Sequence, residues 1–147
     1  MIKHILTDQF VSSWYNDIEN SSRGQLYGSF KKDIGLENYL VRLNEKTRIW
    51  MTKLRASNLR IPIETGWWYN IPKDERVCTL CGQSIGDKFQ LLCVCCNEYL
   101  VNPRRIYLPR YYVTYPSIVK MNGFLSFCNV EVYKRLSLFI KKIAGMF

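Results

Sequence analysis

Five of the six cysteines in this chain fall between Cys78 and Cys96, and the run opens as Cys78-Thr79-Leu80-Cys81. Two thiolates two residues apart grip one tetrahedral ion from a tight turn, and the later group of Cys93, Cys95 and Cys96 offers the other half of the shell. Gly82 and Gly86 supply the backbone freedom that such a knuckle requires. Adjacent Cys95 and Cys96 point in different directions in regular structure, so both are not expected on one ion. The chemistry expected is a closed, structural Zn²⁺ site that folds its own loop. Cys128, alone in an apolar stretch, reads as a buried structural thiol.

The second signal is charge. Twenty-one Lys and Arg against 12 acids leave a net charge of +9. The cations group as Arg42, Lys46, Arg48, Lys53, Arg55 and Arg60, then Arg104, Arg105 and Arg110, then Lys134, Arg135, Lys141 and Lys142. Such patches meet a polyanion, RNA or DNA, or serve as solvated helix faces. Catalysis finds little footing. His4 is the one histidine and sits in no triad, and a site of three or four thiolates is closed to substrate. No signal peptide is visible in residues 1–10, and no window approaches the roughly 20 apolar residues of a membrane span. An intracellular, reducing setting is therefore expected, in which clustered cysteines are ligands rather than disulfides.

The elements that must position these residues read mainly as helices. Ile5, Leu6, Phe10, Trp14 and Ile18 step by three or four over 2–18, and Asn20-Ser21-Ser22 punctuates the end. A shorter helix is expected over 24–33. One long helix is expected over 36–57, with Leu36, Tyr39, Leu40, Leu43, Trp50 and Leu54 as its apolar stripe. Pro62 stops any continuation, and 61–72 reads as an irregular aromatic loop holding Trp67, Trp68 and Tyr69. Beyond a basic, tyrosine-rich stretch over 104–116 come helices over 117–127 and 130–146. The last has a seam of Tyr133, Leu136, Ile140, Ile143 and Phe147.

Three strings, Thr47-Arg48-Ile49-Trp50-Met51-Thr52-Lys53-Leu54-Arg55, Pro62-Ile63-Glu64-Thr65-Gly66 and Asn70-Ile71-Pro72-Lys73-Asp74-Glu75-Arg76, lead into the Cys78–Cys81 pair and Ile85-Gly86-Asp87. Together they resemble the C-terminal zinc-binding region of non-LTR (LINE-type) retrotransposon reverse transcriptases. The resemblance covers most of the chain, with 47–87 its specific part, and implies that the chain corresponds to a piece of a larger protein. The family reads Cys-x-x-Cys, then Gly-Asp-Glu-Phe-His, then a Cys five residues past the His. Here Gly86-Asp87-Lys88-Phe89-Gln90 puts Gln90 at the histidine position, and Cys95 falls where the last cysteine belongs. An amide is a poor zinc ligand beside imidazole and thiolate. Either Cys93 or Cys96 restores a fourth ligand to Cys78, Cys81 and Cys95, or the site is weak or empty. Trp67 also departs from the pattern, standing where the family tends to have Arg.

The expectation is a mainly α chain, a helical body with a small zinc-knuckle-like, Cys-rich loop. It divides into a helical segment 1–60, an aromatic loop and Cys-rich module 61–102, and a basic connector with C-terminal helices 103–147, together one compact domain. A polymerase of the resembled family needs paired aspartates for two-metal nucleotidyl transfer, and no Asp-Asp pair occurs here, so a non-catalytic role is expected. The resemblance implies a nucleic-acid-contacting fragment. Lys53, Arg55, Arg60, Arg104 and Arg105 would meet phosphates, and Trp68, with Trp67 and Tyr69, would stack on bases unless the three rings close over the helix stripe. RNA or DNA is the expected partner, with no membrane and no small-molecule substrate. The alternatives are a zinc-stapled module docking a protein partner through the Tyr133–Ile143 seam, and a retrotransposon remnant without function.

Overall fold

In the computed structural model, which describes residues 2–21, 24–31, 33–126 and 129–147, the chain is mainly α. Among the described residues there is no strand, and one isolated antiparallel bridge joins Val77 to Ile85. Ser22, Phe127 and Cys128, read above as a helix stop, a helix end and a buried thiol, lie outside the described residues.

The first helix, α1 (Ile2–Asn20), packs on α2 (Gly24–Phe30). Only part of its expected apolar face is used: Trp14 and Ile18 are half-buried, while Ile5, Leu6 and Phe10 stay exposed. The long helix expected over 36–57 is two helices, α3 (Asn38–Arg42) and α4 (Glu45–Arg55). Between them Leu43 is extended, and the Asn44 side chain accepts the Thr47 N–H at 3.0 Å. An asparagine that satisfies an orphan N–H starts a helix better than it continues one. The stripe bends accordingly: Tyr39, Leu43 and Leu54 are buried, Trp50 is half-buried and Leu36 is exposed.

Proline is read differently by the fold than by the sequence. Pro62 opens a short helix, α5 (Pro62–Thr65), because its missing N–H costs nothing at the first helical position. Pro103 lies inside α6 (Glu98–Tyr107), a helix that crosses the boundary expected between 102 and 103. Asn97 caps α6 by accepting the Tyr99 N–H at 3.0 Å, and burial of Leu100 and Pro103 offsets the hydrogen bond that Pro103 forfeits.

Two shorter helices, α7 (Arg110–Val113) and α8 (Ile118–Ser126), lead to α9 (Val130–Ile143). Asn129 caps α9 through the N–H groups of Glu131 and Val132. α3, α4 and α6 all pack on α9, whose Tyr133, Leu136, Phe139, Ile140 and Ile143 are buried in the common core. The seam expected to dock a protein partner is therefore spent inside the chain. That core runs from Phe30 to Ile143 and draws on all three expected segments.

Candidate metal centre and nucleic-acid interface

The Cys78-x-x-Cys81 turn is closed by backbone. Cys78 N–H donates to Ser84 C=O at 2.7 Å, Gly82 N–H to Cys78 C=O at 2.7 Å, and Gly86 N–H to Arg76 C=O at 2.8 Å. Gly82 takes φ +66°, a conformation that costs a residue with Cβ about 1 kcal/mol or more. Gly86 packs so tightly that a Cβ there would meet the Pro62 ring at 2.6 Å, which seats the knuckle on α5.

The remaining thiol arrives on a π-helical turn, Gln90–Val94. In an α-helix, residues five apart face about 140° away from each other. The wide turn instead bonds Cys95 N–H to Gln90 C=O at 2.9 Å and brings the two residues to one side. As a result Cys78, Cys81 and Cys95 gather with all three Sγ atoms within 4.8 Å of one another, a group able to hold a metal ion. Cys78 Sγ and Cys95 Sγ are 3.8 Å apart. A tetrahedral ion with thiolate bonds of about 2.3 Å separates its sulfurs by about 3.8 Å, so the donor set fits.

Gln90 completes the enclosure. Its Nε2 donates to Cys81 Sγ at 3.2 Å, and the side chain is only 4% exposed. Asp87 Oδ1 holds the start of this turn by accepting the Gln90 N–H at 2.8 Å. Burial pushes the Cys95 thiol up to about 12, so it needs a cation to lose its proton, whereas the Gln83 backbone N–H draws Cys81 below the ordinary thiol range. Of the two cysteines expected to supply a fourth ligand, neither joins the group. Cys93 is buried apart from it, its thiol pushed up to about 11 by burial, and Cys96 is exposed with its Sγ 3.7 Å from Gln83 Oε1. Neighbouring Cys95 and Cys96 diverge, as alternation of side chains requires.

Two buried cations hold this module. Arg104 donates to Cys95 C=O and to Leu91 C=O, both at 2.9 Å, clamping the two ends of the π turn. Lys88, only 2% exposed, donates to Ser57 Oγ at 2.6 Å and lies 4.0 Å from Glu64. Burial pushes Lys88 down to about 8 against the pull of Glu64. Neither role was legible as such: Arg104 reads in the sequence as one more cation of a basic stretch.

The expected phosphate contacts therefore divide. Arg55 is a correction: it is buried, paired with Glu37 at 2.5 Å, bonded to Leu125 C=O and stacked on Phe30 and Tyr39. Arg104 is another, for the reason just given. A guanidinium buried in the interior and fixed to protein acceptors is closed off from phosphate. Arg105 is exposed on α6. Lys53, Arg60 and Trp68 converge: with Trp50 they line one cleft of about 470 Å³ between α4 and α9. Lys53 Nζ stands 4.5 Å over the Trp50 ring, a residue the sequence assigns only to the helix stripe. The aromatic loop does not close over that stripe, since Trp67, Trp68 and Tyr69 are 56%, 53% and 74% exposed.

Comparison with known proteins finds no matching family model, no similar curated protein and no similar solved structure. The likeness to reverse transcriptases thus rests on the quoted strings alone. No helix among the described residues is long and apolar enough to cross a membrane.

Proposed function

We propose that this chain is a zinc-stapled helical module that contacts nucleic acid and carries out no chemistry of its own, the role implied by its resemblance to the zinc-binding region of LINE-type reverse transcriptases. The observation that carries the reading is the thiol group of Cys78, Cys81 and Cys95, with its tetrahedral 3.8 Å edge. Three soft donors on a knuckle and a turn, in a chain without a second histidine, favour zinc among common divalent ions. Zinc bound there would join the knuckle to the turn and contribute folding free energy on the order of 10 kcal/mol. Buried Cys78 and Cys95, with Gln90 over Cys81, leave little room for a substrate, which favours a structural over a catalytic ion. The excess of nine positive charges and the convergence of Lys53, Arg60 and Trp68 support a polynucleotide partner.

Native mass spectrometry on protein purified under reducing conditions tests the metal. One zinc per chain is expected, and Cys78→Ser and Cys95→Ser should each lose it. Anisotropy titrations of labelled oligonucleotides at several salt concentrations test the partner. Affinity should fall steeply with salt, and a flat dependence would remove the phosphate contacts from the reading.

A further inference from the structure

The cleft beside α4 is shaped for more than phosphate. Its floor is apolar, made by Ile140 and Ile143 of α9, while Trp50 and Trp68 provide ring faces and Lys53 and Arg60 provide charge. Among the described residues, no Asp or Glu side chain lines it. Its volume of about 470 Å³ lies in the range of small-ligand sites, roughly 300–1,000 Å³. The half-exposed Trp68 is presented on a loop that is pinned rather than loose. Arg76 Nε donates to Ile71 C=O at 2.8 Å, Arg76 Nη1 to Ile63 C=O at 3.0 Å, and Trp68 N–H to Thr65 C=O at 2.9 Å. A ring held in place loses little entropy when something stacks on it.

We propose that this cleft binds one unpaired nucleotide of a single-stranded polynucleotide, its base against the Trp68 indole and its phosphate on Arg60 and Lys53. The inference rests on the nucleic-acid reading above and adds strandedness and an address. In a duplex the base faces are stacked on one another and cannot enter a concave site, whereas every unpaired base offers a π face. An apolar protein side chain would fill the floor but bring no anion to Lys53 and Arg60, so charge complementarity favours the nucleotide.

The test compares fluorescein-labelled oligouridine and oligothymidine of about 12 nucleotides with a duplex of the same length, by anisotropy, on the zinc-loaded chain. The single strands should bind at least about tenfold more tightly than the duplex. Trp68→Ala should weaken single-strand binding about tenfold and leave duplex binding unchanged, while Trp68→Phe keeps most of the affinity. Arg60→Gln should lower the salt slope for single strands by about 0.7, one phosphate contact. A preference for either the uridine or the thymidine strand supports the proposal equally. Equal binding of duplex and single strand, with Trp68→Ala silent, overturns the cleft and leaves the nucleic-acid reading standing. Absence of binding to all three at low salt overturns both. Circular dichroism of Trp68→Ala, a change at a half-exposed ring, checks that the fold is intact.

Discussion

Gln90 offers the sharpest test of the metal centre. Its Nε2 stands 3.2 Å from Cys81 Sγ, beside the three thiols and buried with them. A histidine Nε2 lies about as far from its Cα as the glutamine Nε2, so Gln90→His should place a true ligand where an amide now stands. Structural zinc is worth roughly 10–16 kcal/mol over four ligands, so one ligand is worth about 3 kcal/mol. Against this stands the hydrogen bond to the thiolate that the variant gives up, about 2 kcal/mol for a charged acceptor. The net gain is about 1 kcal/mol, roughly a fivefold rise in zinc affinity. Competition against a chromophoric chelator near neutral pH under reducing conditions measures it. Cobalt(II) spectra of the two proteins show whether the coordination shell has changed. Gln90→Ala separates ligation from relief of crowding and should bind zinc more weakly than the parent. If Gln90→His binds zinc no better than the parent, Gln90 does not stand at the open vertex and the assignment of the site is wrong.

Three further outcomes follow from the buried charges. Arg104→Met removes both carbonyl contacts of the π turn and should lower stability by about 2–4 kcal/mol, net of the guanidinium's burial cost, in urea titrations of the zinc-loaded chain. Zinc affinity should fall with it, and an unchanged affinity would show that the turn holds itself. Lys88, at about 8 in the folded chain against an ordinary 10.5, loses its proton earlier than it does unfolded. Stability should therefore rise by about 3 kcal/mol as pH climbs from about 8 to about 10.5 and be flat in this term below 8, and Lys88→Met should abolish that rise in urea midpoints. Glu37→Ala leaves the buried Arg55 without its carboxylate and should cost about 3 kcal/mol by thermal or urea unfolding, whereas Glu45→Ala on the exposed start of α4 should cost under about 1 kcal/mol.

Much of the architecture is written in local pattern, and its exceptions have specific causes. The seam of α9 and the knuckle around Cys78 and Cys81 are legible because periodicity and spacing act over a few residues. The break at Asn44 is legible too, but only if an asparagine ahead of Thr47 is weighed as a cap against the apolar stripe that runs through it. Pro103 is the opposite case, a helix-breaking residue held inside α6 where burial that only the tertiary fold supplies offsets its cost. Arg55 and Arg104 could not be told from solvated cations by type, because their partners, Glu37 and Leu125 or Leu91 and Cys95, come from other elements. The site was half legible: Cys95 was indicated by resemblance, yet the π turn that faces it with Gln90 has no pattern of its own. Spare thiols nearby made Cys93 and Cys96 look like ligands, and three-dimensional direction set them aside.

The lopsided packing of α1 bears on how the molecule breathes. This helix leans chiefly on α2, with Ile5, Leu6 and Phe10 in water, whereas α9 is enclosed by three neighbours. Opening α1 exposes little that is not already wet, so its amides should exchange with solvent through low-energy local excursions. The amides of α9 should exchange only when the whole core comes apart. The chain is thus graded along its length, from a lightly held α1 to a core built around α9.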